Sequence, residues 1–363
     1  MKLSYLKAKD FRNIRETTLT FGEGVNVLCG ENGQGKTNAL ECLYLFSRGR
    51  SFRAGGEAEM VRFGAGGFSA EIGFVTGGRD HTLVWRYFDG RHKRIHNGFE
   101  VEKIGEFIGL FRAVLFSPDH LRLVKGSPDA RREFLNVAVS QIDHEYTALY
   151  VRFRHILDNR NTLLRFAQKN LYVDPAELTA WTEQLADVSA RLAVKRKAYV
   201  DELGRFAPVF LREISGGRDE LSVSYDSCVG GEDEASIRDA YLAAFEAERP
   251  REAAAGYSLF GVHRDDLRLT INGADARTFA SQGQQRSVVL ALKTAEGEVC
   301  KKICGEYPVF LFDDVLSELD ERRRAYVTEN IKDKQIIVTS CDREIDGDAR
   351  TILVRDGVYC PAE

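Results

Sequence analysis

Along the first hundred residues, apolar and polar positions alternate. Leu3, Tyr5 and Phe11 open the pattern, and Phe68, Ala70, Ile72, Phe74, then Leu83, Trp85 and Tyr87 repeat the two-residue period of half-buried strands. Gly77-Gly78, Asp89-Gly90 and Asn97-Gly98 interrupt it with tight-turn dipeptides, which predicts an antiparallel meander. Val25-Asn26-Val27-Leu28 reads as a buried strand entering a glycine-rich turn. Ala39, Leu40, Leu43, Tyr44 and Phe46 then give helical spacing over Asn38 to Phe46. A short apolar run, Ala113 to Phe116, ends at Ser117-Pro118. From about Asp129 to Leu203 the period is helical, broken at Asp174-Pro175, with a second stretch from Pro175 to Leu203. Two or three helices of ordinary length are expected, with no sustained heptad.

Ser215 to Glu234 reads as an exposed connection, with Gly216-Gly217, a strand-like Leu221 to Tyr225 and an acidic Gly230 to Glu234. Beyond it the pattern predicts a helix over Ile237 to Glu248, strands near Tyr257 and over Leu267 to Ile271, and a turn at Asn272-Gly273. Then follow a helix (Gln284 to Ile303), a buried strand (Val309 to Phe312), a helix (Glu318 to Ile331) and a strand (Gln335 to Thr339). Strand and helix alternating in this way imply a parallel α/β sheet.

With 363 residues, 44% of them hydrophobic and 29% charged, the chain has the balance of a soluble globular protein of two or three domains. The 51 Lys and Arg face 55 Asp and Glu, a net charge of −4, so any contact with nucleic acid must use a local basic patch. No apolar run approaches membrane-spanning length, which argues against a membrane protein. The seven cysteines are scattered, with Cys300 and Cys304 on one helix face, and reduced thiols in the cytoplasm are the expectation.

Gly30-Glu31-Asn32-Gly33-Gln34-Gly35-Lys36-Thr37 matches G-x-x-x-x-G-K-[ST] between a predicted strand and a predicted helix. Consecutive backbone N–H groups can curl around phosphate oxygens there, Lys36 can reach the β- and γ-phosphates, and Thr37 can offer its hydroxyl to Mg²⁺. Pro308 to Asp314 reads as a buried strand ending in two carboxylates; Asp313 is the candidate magnesium ligand and Asp314 the candidate for orienting or deprotonating a water. Ser281-Gln282-Gly283-Gln284-Gln285-Arg286 precedes a long apolar-faced helix. It is either a simple helix cap or a second anion site, closing on a γ-phosphate held by a partner chain.

Phosphate loop, serine–glycine–glutamine signature, double Asp and Ser317-Glu318-Leu319-Asp320, in that order, resemble an ABC-type ATPase of the SMC class. Phe11-Arg12-Asn13, Gly30 to Asn38, Ser117-Pro118, Lys125 to Pro128 with Arg131-Arg132, Asn159-Arg160-Asn161 and His263-Arg264-Asp265-Asp266 narrow the resemblance to the RecF family of bacterial recombination proteins. The resemblance implies a two-lobed ATPase head with a mixed sheet and an antiparallel β region, and a short helical arm. The corresponding boundaries are 1–120 and 211–363 for the head and 121–210 for the arm. It also implies ATP and Mg²⁺ as cofactors, homodimerisation on ATP, and slow hydrolysis that acts as a release switch. Binding to gapped or junction DNA, with RecO and RecR as partners and RecA loading as the outcome, completes the expectation. Asp314 stands where many ABC ATPases carry Glu, Ser117-Pro118 where they carry a glutamine, and Thr339-Ser340-Cys341 where they carry a switch histidine, so those roles are not carried over. Arg12 is a candidate for an extra phosphate contact.

The candidate DNA contacts are three basic clusters. Arg152, Arg154, Arg160, Arg165 and Lys169 form one, Arg191, Lys195, Arg196 and Lys197 another, and Arg122, Lys125, Arg131 and Arg132 the third; each competes with reading as a solvated helix face. His263 to Asp266 reads as a hydrogen-bonded turn rather than a metal site. The motor subunit of a membrane transporter is the alternative function, and a small-molecule phosphotransferase would leave the signature motif unexplained.

Overall fold

The computed structural model describes residues 1–315, 320, 323, 324, 326, 334–341 and 349–362. Most of the expected helix Glu318 to Ile331 and most of Ser317 to Asp320 lie outside them. In chain order the strands are β1 (Lys2–Phe11), β2 (Ile14–Thr20), β3 (Val25–Cys29), β4 (Gly67–Thr76), β5 (Arg79–Phe88), β6 (Arg91–His96), β7 (Phe99–Glu100) and β8 (Ala113–Phe116). They continue with β9 (Leu221–Asp226), β10 (Asp266–Ile271), β11 (Ala274–Asp275), β12 (Val309–Phe312), β13 (Ile336–Ser340), β14 (Arg350–Arg355) and β15 (Val358–Pro361).

The chain divides into two compact units: Met1–Leu121 with Val209–Asp219 and Gln282–Glu363, and Arg122–Pro208 with Glu220–Ser281. The first unit holds two sheets. One is the antiparallel meander, in order β2-β1-β4-β5-β6-β7, its strands alternating buried and exposed as the two-residue period requires. The other runs β15-β14-β3-β13-β12-β8, with β14, β3, β13, β12 and β8 parallel and β15 antiparallel at the edge. All residues of β8 and β12 are buried, the continuous apolar run of a strand covered on both faces. Because these strands are parallel, the ends of β3, β12 and β13 lie on one edge of the sheet, where open α/β sheets place their ligands.

The second unit is built on the helices Pro128–Ile142 and His144–Gln168 and on the part of the helix Pro175–Ser215 up to Pro208, with the small sheet β11-β10-β9. Asp143 caps the second of them, its carboxylate accepting from the Tyr146 amide at 3.1 Å. The last helix is 41 residues long and runs past Leu203, with Pro208 in its interior; Ala207, Leu211 and Ile214 are buried beyond the predicted end, so packing outweighs the missing backbone donor. Glu220–Ser281 groups with the helical unit rather than with the first one. The reason is local: β9 pairs with β10 over six residues, and Asp266 at the start of β10 takes both nitrogens of the Arg131 fork. No strand forms at Tyr257; a short helix, Arg249–Ala255, comes just before it.

Candidate functional site

The loop after β3 is shaped by glycines that nothing else replaces. A Cβ on Gly30 would meet the Val354 carbonyl oxygen at 2.2 Å, and Gly35, at φ +112°, lies against the Asn13 amide. Side chains and the last hairpin fix the loop from outside. Asn13 donates to the Gln34 carbonyl at 3.1 Å, the Asp356 amide donates to Gln34 Oε1 at 2.6 Å, and the Tyr359 hydroxyl donates to the Gly35 carbonyl at 2.8 Å. The helix Lys36–Arg48 starts directly at Gly35, so its free N–H groups open into the loop.

Lys36 is buried, with Nζ donating to the carbonyls of Gly30 and of Glu31 (3.2 Å) and lying 3.2 Å from Cys341 Sγ. Thr37 Oγ1 donates to Asp313 Oδ1 at 2.7 Å, joining the loop to the end of β12. Thr339, at the end of β13, donates to the same oxygen at 3.2 Å and accepts from the Asp314 amide at 2.8 Å. Asp314 takes a left-handed backbone, φ 54°, at the turn out of β12. Burial raises the Asp313 carboxyl above the ordinary range, opposed by the hydroxyls of Thr37 and Thr339 and by the charge of Arg53. The structure thus brings Lys36, Thr37 and Asp313 together. Glu31 and Asn32 are exposed at the loop tip, with Gly33 at φ +82° between them and Gln34, and Asn38 donates to Asn13 at 2.7 Å.

Arg53 was not singled out in the sequence, and Thr339 and Cys341 were noted only as standing where ABC ATPases carry a switch histidine, with no role assigned. Thr339 and Cys341 arrive through the pairing of β13 with β3 over about 300 residues of sequence separation. Arg53 reaches Asn38 Oδ1 at 2.9 Å from a loop without periodicity. Arg12 is tied to internal acceptors. Its Nε and Nη2 donate to the two oxygens of the fully buried Glu41 at 2.9 and 2.6 Å, and Nη1 to the Glu59 carbonyl at 2.7 Å, so it neutralises an internal carboxylate. Ser281 is exposed directly before the helix Gln282–Cys304, whose first turn holds Gly283 and Gln284. Gln284 donates to Asp219 at 2.8 Å, and Arg323 donates to the Gly283 carbonyl at 2.9 Å.

The basic clusters separate by burial. Arg160 is 2% exposed, donating to Glu252 at 2.6 Å, Ser258 at 2.7 Å and Thr182 at 2.9 Å. Arg196 is 1% exposed, held by Tyr146, Asn136 and the Val262 carbonyl. Arg131 is buried on Asp266. These three brace the second unit and are not available to DNA. Arg132 bonds the Asp265 carbonyl and Asp129, while Arg191 and Lys195 are tied to Glu145 and Asp143. Arg152, Arg154, Arg165 and Lys197 stay exposed. Asp265 is buried, accepting from the Tyr225 hydroxyl and from the Cys228 amide at 2.8 Å, so the His263 to Asp266 run is a structural turn.

The fold is that of an ABC-type ATPase head of the SMC class: the chain superimposes on the SMC head domain of Pyrococcus furiosus with a TM-score of 0.58 at 17% identity, covering 99% of this chain and 96% of that one. The match is much closer to a solved structure of the recombination mediator protein RecF with ATP, with a TM-score of 0.93 and 31% identity over 100% of this chain and 98% of that one. The DNA replication and repair protein RecF of Ruminiclostridium cellulolyticum is 36% identical over 350 residues, 95% of this chain and 94% of that protein. The RecF/RecN/SMC N-terminal domain model matches residues 2–355, and the chain belongs to that family, on its RecF branch. Membership disfavours the transporter-motor alternative, and no described helix is long and apolar enough to cross a membrane.

Proposed function

We propose that the chain is an ATP-switched DNA-binding repair protein in which two copies enclose two ATP molecules. The observation that carries this reading is the Thr37–Asp313 hydrogen bond beside the buried Lys36, which joins phosphate loop and double Asp into one anion and cation site. The oxygen donors Thr37 Oγ1 and Asp313 fit a hard divalent cation and would hold Mg²⁺, which supplies charge neutralisation for the phosphates when bound. Loop N–H groups and Lys36 bind the triphosphate. Asp314, one methylene shorter than the glutamate common in ABC ATPases, holds the attacking water less closely, so turnover is slow and serves release. Ser281, Gly283 and Gln284 complete the γ-phosphate cradle of the partner copy, as the exposure of Ser281 permits.

By analogy with relatives named for the RecFOR pathway, the protein recognises gapped or junction DNA and works with RecO and RecR in loading RecA. The first unit acts as the ATPase head and the second as the arm. Light scattering with and without ATP, in the presence of gapped DNA, tests the reading. A shift from monomer to dimer mass is expected; a mass unchanged at saturating ATP refutes it.

A further inference from the structure

The outer face of the β2-β1-β4-β5-β6-β7 sheet has an unusual floor. The outward positions of its central strand β4 are Gly67, Ser69, Glu71 and Gly73, so little bulk stands above the strand. Two aromatic rings fill the places where side chains are missing: a Cβ on Gly73 would meet the Tyr5 ring at 2.1 Å, and one on Gly67 would meet the Phe88 ring at 2.5 Å. The single acid of the floor, Glu71, is neutralised by Lys7 at 3.1 Å and by the Tyr5 hydroxyl at 2.9 Å. The result is a shallow trough along β4.

Its walls are basic. The register aligns Lys9, Ser69, Arg86 and Lys93 in one row across β1, β4, β5 and β6, and Arg91 stands opposite Phe88 in the next row. Lys9, Arg86 and Arg91 are exposed and form no ion pair among the described residues; Lys93 is paired with Glu100 at 2.6 Å. Glu16, opposite Lys9, and Asp80, opposite Val75 near the start of β5, are exposed acids on this face with no ion pair among the described residues. Lys9 and Arg86 flank β4 two strand spacings apart, about 9.5 Å, a width that takes one polynucleotide backbone and not a duplex. Half-exposed Phe88 offers a ring face to a base beside Arg91.

We propose that this trough is a binding track for single-stranded DNA, with Lys9, Arg86 and Arg91 as phosphate contacts and Phe88 as a stacking platform. The proposal rests on the DNA-binding reading above and names the part of a gapped substrate that the head unit would grip. It adds a surface on the antiparallel sheet, apart from the helical clusters that the sequence points to.

The test uses the full chain, a fluorescein-labelled 20-mer of deoxythymidylate and a 20-base-pair duplex, with anisotropy read across 50–300 mM salt. The charge-reversed variant Arg86→Glu/Arg91→Glu is compared with Arg86→Gln/Arg91→Gln, which removes charge without introducing repulsion. Losing two phosphate contacts should lower affinity for the single strand about 25-fold at 0.1 M salt and flatten the log–log salt slope by about 1.4. ATP-dependent dimerisation should be unchanged. Unaltered affinity and slope for the single strand in both variants would overturn the proposal, as would a loss confined to the duplex. A wild-type protein that binds neither DNA would instead refute the proposed function.

Discussion

If each nucleotide is held by the phosphate loop of one copy and the signature turn of the other, two defective proteins should repair each other. Lys36→Ala removes a buried ammonium whose Nζ reaches the Gly30 and Glu31 carbonyls at the mouth of the loop. A charge-assisted contact to phosphate is worth about 1.5–3 kcal/mol, so ATP affinity should fall roughly 10- to 150-fold. Ser281→Arg puts a long cation at an exposed position before the helix Gln282–Cys304 and leaves Lys36 of its own chain intact. Neither variant alone can build a complete site. In a mixed dimer, one site combines both defects while the other combines the sound loop with the sound turn. Random pairing makes about half the dimers mixed, each with one working site of two, so an equimolar mixture should recover about a quarter of the wild-type sites. Multi-turnover phosphate release, at ATP concentrations that saturate wild type but not Lys36→Ala, measures this directly. A mixture no more active than the mean of its components would refute a shared site, as would full activity in Ser281→Arg alone.

Cys341 is exposed 3.2 Å from the Lys36 ammonium, so ATP should slow its alkylation by a maleimide several-fold, read by mass spectrometry of the labelled peptide; equal rates would separate the thiol from the nucleotide. Arg160→Met strands the fully buried Glu252 and should cost about 3–5 kcal/mol in urea unfolding, with Glu252→Gln on top restoring part of it. Charge reversal at Arg152 and Arg154, both exposed, should weaken DNA binding without loss of stability, whereas adding Arg160 to that set would unfold the second unit; comparing melting with DNA titration distinguishes the two. Burial lowers the His263 imidazole to about 4, with the cations Arg264, Arg132 and Arg196 adding to the effect. The unfolded chain therefore binds the extra proton first as pH falls below about 6.5, and stability present above that pH is lost on acidification, by about 2 kcal/mol at pH 5. His263→Gln should flatten that dependence, measured as urea midpoints from pH 8 to 5.

The phosphate loop and the double Asp were legible because each is contiguous, and a strand boundary told where each would sit. Thr339 was not, since its role depends on β13 lying between β3 and β12, a fact of topology without local trace. Arg160 and Arg196 misled for another reason: a composition count does not distinguish a buried cation from an exposed one. Their positions did carry a signal. Arg160 falls between Ile156 and Leu164, and Arg196 between Leu192 and Val200, on the apolar faces of their helices, where a cation implies an internal carboxylate or carbonyl partner. The helix through Pro208 and the hairpin of β14 and β15 were missed because packing outweighed a breaker in one case and the segments were short in the other.

β3 is bordered by β13 and β14, and the turn after β14 fastens Gln34. A ribosome makes the residues of β3 more than 300 positions before either neighbour, on the order of half a minute earlier at ordinary elongation rates. Throughout that interval the nascent Val25–Cys29 edge has no lasting mate, and the loop beyond it lacks its anchor. The anchored phosphate loop is consequently a late acquisition of biosynthesis, and the emerging N-terminal half is the stage at which a chaperone would matter most.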